Sequence, residues 1–361
     1  MSIHPLITLA TDRQVKQAKG FRAAAADLSG QSLEPLYKAE VAGAPKRHDQ
    51  DKKYLGQKTI RTPSARQNGK DDKHFCLAAG NRARGDSLTA KLPDGTELLI
   101  VDGLVPLRTA APDKSLGDRD PNKGVEDIGL LALLPDDRVA VVCVKYLKPE
   151  ATHSGAGDTP LRLLLATLAQ AAMVDGNQQA LREEILEATG RKTSEEAPAI
   201  VIAASPRYWE ICRKREAQKG AGWIRELERL AREIAEQIGS EVFYAGLDAG
   251  TDSESDPAWE YTDDGPILPS PIVMKDPWES TAGRLKPKRK KAANVIEIIE
   301  PNMDKAPQPY SISASFESGD RINHSTLGDG VCQGSAGTGK IKVLFGEDAK
   351  ILVHERARAS A

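Results

Sequence analysis

The sequence predicts an α/β protein: a mixed β-sheet flanked by helices, followed by a small all-β module. Three observations carry this expectation. Between residues 91 and 250, short apolar runs alternate with longer stretches of helical period. One of those runs, APAIVIAAS, is apolar throughout, the pattern of a strand buried on both faces. After residue 311, short runs rich in branched residues are separated by Gly and Asp turns, with no helical pattern between them.

The elements follow in order. PDG at residues 93–95 is a turn, and ELLIVDGLVPLR after it reads as a strand. A loop rich in Gly, Asp and Pro leads to VEDIGLLALL, a PDD turn and RVAVVCVKYL, two apolar runs joined as a hairpin. Thr159 and Pro160 supply an N-cap and a first-turn proline for the helix LRLLLATLAQAAMV. QQALREEILEATG continues helically and stops at Gly190. APAIVIAAS is the next strand, and WIRELERLAREIAEQIG is an amphipathic helix with Ile224, Leu227, Leu230, Ile234 and Ile238 on one face. SEVFYAGLD closes a β-β-β-α-β-α-β order.

Four regions result. Residues 1–90 read as a polar, partly disordered N-terminal region, and residues 91–250 as the α/β domain. Residues 251–310 read as a flexible linker, because their acidic, Pro-rich and basic stretches bury little apolar surface. Residues 311–356 form the β module. A net charge of −2 over 361 residues gives no global attraction to nucleic acid or membrane, so any steering is local. Cys76, Cys143, Cys212 and Cys332 are widely spaced without a CxxC pair, which argues against structural zinc or a disulfide scaffold and fits a reducing compartment. Residues 1–10 lack the basic and apolar parts of a secretory signal, and no apolar stretch approaches a membrane span. The expected location is cytoplasmic, with no membrane partner.

The order of elements, with Asp127 opening VEDIGLLAL, Lys145 in VVCVKYLKP and the helix GDTPLRLLLATLAQAAMV, resembles the PD-(D/E)XK nuclease superfamily over residues 91–250. The resemblance implies a restriction-endonuclease-like β-β-β-α-β core, a metal-binding role for Asp127 and a catalytic role for Lys145. Phosphodiester cleavage needs Mg²⁺ on hard oxygen ligands, with a lysine to stabilise charge. The position two before Lys145 is Cys143, where the family has Asp or Glu, and a thiol is a poor Mg²⁺ ligand. Cys143 and Lys145 share one strand face, and Cys143 otherwise reads as a small buried hydrophobe.

Three readings stand. The site is inactive and the fold serves binding. Or a carboxylate of the following helices, Glu183 first among Asp175, Glu184 and Glu187, completes a Mg²⁺ site. Or the likeness is topological and Asp127 and Lys145 are ordinary strand-end residues. Gln170 either stands near the metal position or lies on the rim of its helix. In SPRYWEICRKREAQKG, Tyr208 and Trp209 beside Arg213, Lys214 and Arg215 suit phosphate contact and base stacking, or else inward-packed aromatics under a solvated basic face.

Gly334, Gly339 and Lys340 nearly match a phosphate-binding P-loop, but Ile341 stands where Ser or Thr is required and a strand follows instead of a helix. The segment reads as a hairpin turn. Gly319, Asp320, Ile322, His324, Leu327, Gly328, Gly330, Val331 and Phe345 together resemble the CarD-like and Tudor-like modules of bacterial DNA-associated proteins. That resemblance implies a small SH3-like barrel that docks on RNA polymerase or duplex DNA; His324 by itself reads as a turn or core residue. Arg284, Lys286, Lys288, Arg289, Lys290 and Lys291 place six positive charges in eight residues just before it, a phosphate-binding run or a solvated linker.

The expectation is a DNA-associated accessory protein with an inactive nuclease-like domain. The alternatives are an active Mg²⁺-dependent deoxyribonuclease and an interaction scaffold without nucleic-acid contact. Whether the chain is an enzyme stays open on sequence, and Mg²⁺ is required only if it is.

Overall fold

The computed structural model describes residues 2–56, 72–147, 150–155, 157–216, 222–248, 260–262, 265–268, 272–278, 298–346 and 348–355, with side chains 215, 216, 248 and 260–262 outside that description. The chain divides into two compact units, Met1–Lys286 and Pro287–Ala361.

The first unit begins with four helices, α1 (Pro5–Ala10), α2 (Arg13–Lys16), α3 (Phe21–Asp27) and α4 (Gly30–Gly43). The sequence leads to a polar, irregular region here with one weakly helical stretch around Asp12–Asp27, and α2 and α3 fall within that stretch. Leu6, Val15, Phe21, Leu33 and Tyr37 all enter the main core. Ser29 starts α4 by accepting from Ser32 N at 3.2 Å, while Ser29 N donates to Ser32 Oγ at 2.9 Å, a reciprocal cap. Residues 57–71 lie outside the described residues, and α5 (Asp72–Gly85) follows them.

β1 (Leu88–Lys91), β2 (Glu97–Val105), β3 (Ile128–Leu133) and β4 (Val139–Lys145) form an antiparallel meander. β4, β5 (Ala199–Ala204) and β6 (Val242–Asp248) run parallel. The crossovers are helical: α6 (Pro160–Gly176) with α7 (Gln178–Thr189), then α8 (Pro206–Glu216) with α9 (Gly222–Ile238). β7 (Glu260–Thr262) and β8 (Gly265–Ile267) make a two-stranded ribbon. β9 (Ile272–Lys275) then pairs antiparallel to β6 and parallel to β1, closing a seven-stranded barrel in the order β1-β2-β3-β4-β5-β6-β9. Part of the stretch expected to be linker therefore completes the sheet. Its apolar IVMK run is short, but it meets two strand edges that would otherwise be unpaired.

Strand alternation sorts the core into two layers. Val141, Ile200 and Ile202 face the layer built with α6 and α9, whereas Ala140, Val142, Val201 and Ala203 face the layer that includes Phe75, Cys76, Ala78 and Ala79 of α5. Every residue of β5 is buried, as its unbroken apolar run requires. Helix α5 comes so close to β2 that a side chain at Gly103 would place its Cβ 2.0 Å from the Cys76 carbonyl oxygen. Thr159 caps α6 by accepting from Arg162 N at 3.1 Å and donates to Val15 O at 2.6 Å, so one side chain starts the helix and ties it to α2. No helix among the described residues is long and apolar enough to cross a membrane.

The second unit is a five-stranded sheet in the order β10 (Gln308–Pro309), β11 (Arg321–His324), β12 (Gly328–Gly337), β13 (Lys340–Phe345) and β14 (Asp348–Val353). Phe316, Ile322, Cys332, Ile341 and Val343 form its core. The near-P-loop lies in the β12–β13 hairpin, where Gly337 pairs with Lys340 and Gly339 adopts φ +65°. No helix follows to orient amides toward a phosphate. His324 Nδ1 accepts from Thr326 N at 3.1 Å and its ring stacks 4.8 Å from Tyr310.

Candidate functional site

The start of β3, the end of β4, the first turn of α5 and the middle of α6 meet around a cavity of about 360 Å³. Asp127, Cys143 and Gln170, all singled out by the sequence, line it together, with Asp72, Lys73, Arg108 and Glu126 as charged neighbours. Gln170 is tied to the lead into β3: its Nε2 donates to the Asp127 carbonyl at 3.1 Å.

Lys145 is held by two carboxylates. Its Nζ donates to Asp72 Oδ2 at 3.0 Å and lies 2.9 Å from Asp158 Oδ2. Each acid spends its second oxygen as well. Tyr146 N donates to Asp72 Oδ1, and Arg162 Nη1 donates to Asp158 Oδ1 at 2.6 Å. Burial disfavours the Lys145 charge, but Asp72 and Asp158 outweigh it and lift the lysine above its ordinary range. Asp72 is itself raised by burial, with Lys145 opposing that rise. Arg162 extends the chain of charges to Glu126 at 3.7 Å.

Cys143 is half-buried on the α6 side of β4, and burial pushes its thiol up to about 12, with the contact to Thr167 pulling the other way. A protonated thiol offers a hard divalent cation nothing. It is also a poor nucleophile. At about pH 8 its thiolate population should fall roughly a thousandfold below that of an ordinary cysteine. Alkylation with iodoacetamide, read by mass spectrometry on the native chain, is expected to leave Cys143 unmodified; rapid labelling there would overturn this assignment.

All four oxygens of Asp72 and Asp158 already have protein donors, so these two carboxylates are engaged within the chain. Among the described residues, no group of three or more His, Cys, Asp or Glu side chains is placed to hold a metal ion.

The helix carboxylates considered from sequence lie elsewhere. Glu183 lines a separate depression with Lys46, His48 and Asp49. Asp175 accepts from Tyr37 Oη at 3.1 Å, and Glu187 pairs with Lys53 at 3.0 Å. Glu184 is a buried anchor: it accepts from Tyr54 N, from Leu55 N at 2.8 Å and contacts His48 Nε2 at 2.7 Å.

The basic helix after β5 turns its aromatics inward. Tyr208 and Trp209 are buried, and Trp209 stacks edge-on to Trp278 at 4.9 Å and donates to Ala245 O at 2.9 Å. Arg213 donates to Pro277 O at 2.7 Å, and Lys214 pairs with Glu210 at 2.6 Å. The Arg215 side chain and the block from Arg284 to Lys291 fall outside the described residues.

Sequence reading missed Asp72, Asp158 and Arg162. Asp158 stands in the GDTP that opens its helix, and Asp72 in the N-terminal region read as polar and partly disordered. The only local signal was Asp158 four residues before Arg162, a helical ion-pair spacing. No family model, curated protein or solved structure matches the chain.

Proposed function

We propose that this chain is a DNA-associated accessory protein whose PD-(D/E)XK-like core binds rather than cuts. Its terminal five-stranded unit, read as an SH3-like, Tudor-like module, engages DNA or a DNA-bound protein such as RNA polymerase. One observation carries the first half: Lys145 sits as an ammonium between Asp72 and Asp158, at 3.0 and 2.9 Å, beside a protonated Cys143. In a hydrolytic site of this type the lysine faces substrate and the carboxylates face a metal ion. Here the lysine and the carboxylates neutralise each other. The position of Asp127, Cys143 and Gln170 around one cavity supports the family likeness itself.

The second half rests on the charge pattern. Six cations between Arg284 and Lys291 suit a phosphate backbone, and a chain of net charge −2 gains nothing comparable elsewhere. The core then supplies shape and position, with the location cytoplasmic.

The test uses the full chain with linear, nicked and single-stranded DNA in Mg²⁺ or Mn²⁺. No cleavage is expected, together with a salt-sensitive gel shift. Replacing all six cations of the 284–291 block by alanine should flatten the dependence of log K on log salt by roughly 0.9 for each phosphate the protein no longer neutralises. Cleavage abolished by Asp127→Ala would replace this reading by that of an active nuclease. Absence of any shift at low salt would remove the DNA-binding half.

A further inference from the structure

His4 is buried, and both of its ring nitrogens face acceptors. Nδ1 lies 2.6 Å from Glu40 Oε1 on α4, and Nε2 lies 2.8 Å from the Pro121 carbonyl oxygen. A carbonyl can only accept, and so can an ionised carboxylate, so filling both contacts takes a proton on each nitrogen: an imidazolium. Glu40 is fully buried and its second oxygen accepts from Leu6 N at 3.0 Å. Asp120, also buried, adds a second negative charge toward His4, while its oxygens accept from Asp113 N at 2.7 Å and Asn122 N at 2.9 Å. Elsewhere in that loop Asp118 and Lys123 pair with each other at 2.9 Å on the surface. A backbone tie, Ile3 N donating to Asp118 O at 3.0 Å, runs alongside the histidine.

We infer that His4 is a proton-operated bolt: as an imidazolium it pins residues 106–127 against the N-terminal helices, and loss of that proton releases the segment. A neutral ring supplies one N–H, so either Glu40 or the Pro121 carbonyl would face a lone pair at a buried position, where bulk solvent cannot replace the bond. The segment is the connection from β2 to β3, and its last two residues, Glu126 and Asp127, line the cavity. The consequence for the cavity rests on the function proposed above; the bolt itself does not.

The sign is fixed by the contacts. Burial lowers the histidine, but the bonds to Glu40 and Pro121 and the charges of Glu40 and Asp120 outweigh it, so His4 titrates above its ordinary value of 6.5. The stabilisation is therefore complete below the unfolded value and is lost as pH climbs through the higher, folded one.

Amide hydrogen exchange on the full chain, followed by mass spectrometry from about pH 6 to about pH 9 and corrected for the intrinsic rate, reads the opening of residues 106–127. Between the unfolded and the folded His4 values opening should rise by up to about tenfold per pH unit and level off above the folded value, while α6 stays protected. His4→Gln has no titrating proton and should remove that slope. Glu40→Gln, which takes away the main partner favouring the charge, should make the rise level off at lower pH, with a smaller total increase. A flat profile in the wild type, the same slope in His4→Gln, or a plateau unmoved in Glu40→Gln would each overturn the bolt. None of these measurements involves nucleic acid, so their failure leaves the DNA-binding reading standing, and the reverse also holds.

Discussion

Gly103→Ala is expected to destabilise the first unit by roughly 3 kcal/mol or more, measured as a drop in urea midpoint by far-ultraviolet circular dichroism. The added Cβ would sit 2.0 Å from the carbonyl oxygen of Cys76 and 3.2 Å from the Cα of Gly80. Both are backbone atoms of α5, so no side chain can swing aside. The helix itself would have to retreat from β2. That movement would loosen Phe75, Cys76, Ala78 and Ala79 from the layer they share with Leu98, Ile100 and Leu130. Asp102 adds to the cost, because it holds the same junction: it accepts from Gly103 N at 2.7 Å and Gly56 N at 2.8 Å, and its other ties include Arg84 of α5. Gly85→Ala provides the contrast. Nothing lies within 4 Å of a Cβ there, so a change within about 0.5 kcal/mol is expected. Equal midpoints for the two variants would show that α5 is free to shift.

Local pattern made the parallel half of the sheet legible. The unbroken run of β5, the Thr159–Pro160 start of α6 and the period of α9 each encode their element within a dozen or so residues. Closure of the barrel was not legible. β9 is only Ile272–Lys275, and what makes it a strand is the pair of edges it finds on β1 and β6, far away in sequence. The same reason hides half of the candidate site. Asp127 and Cys143 are adjacent in the meander and could be paired by strand order, whereas Asp72 reaches Lys145 from a helix 73 residues earlier. Buried acids carry no label either. Glu184 reads as one more charge on an amphipathic helix, yet it is buried because backbone N–H groups of Tyr54 and Leu55 satisfy it.

Lys145→Met should convert the ammonium-bridged pair into a cation site. Methionine keeps most of the buried stem, so the change mainly removes the charge. Asp72 and Asp158 would then face each other without the group that now lies 3.0 and 2.9 Å from them. Breaking a buried pair costs about 3–5 kcal/mol, and the partial exposure of Asp72 reduces this to roughly 2–3 kcal/mol near neutral pH. The loss should depend on pH. Burial already raises Asp72, and without Lys145 it rises further, so the folded variant binds a proton more readily than the unfolded chain. Its stability therefore recovers as pH falls, and the gap to wild type should narrow from pH 7 towards about pH 5. Divalent cations provide the second readout. Mn²⁺ should raise the Tm of Lys145→Met, by the equivalent of about 1.4 kcal/mol at ten times its Kd, and leave the wild type unmoved. In the wild type the Lys145 ammonium already lies between these two carboxylates. Equal Mn²⁺ stabilisation of both proteins would mean that the ion binds elsewhere and that Lys145 does not block the site. Stabilisation confined to the variant would show that the Lys145 ammonium occupies the place an ion would otherwise take between Asp72 and Asp158.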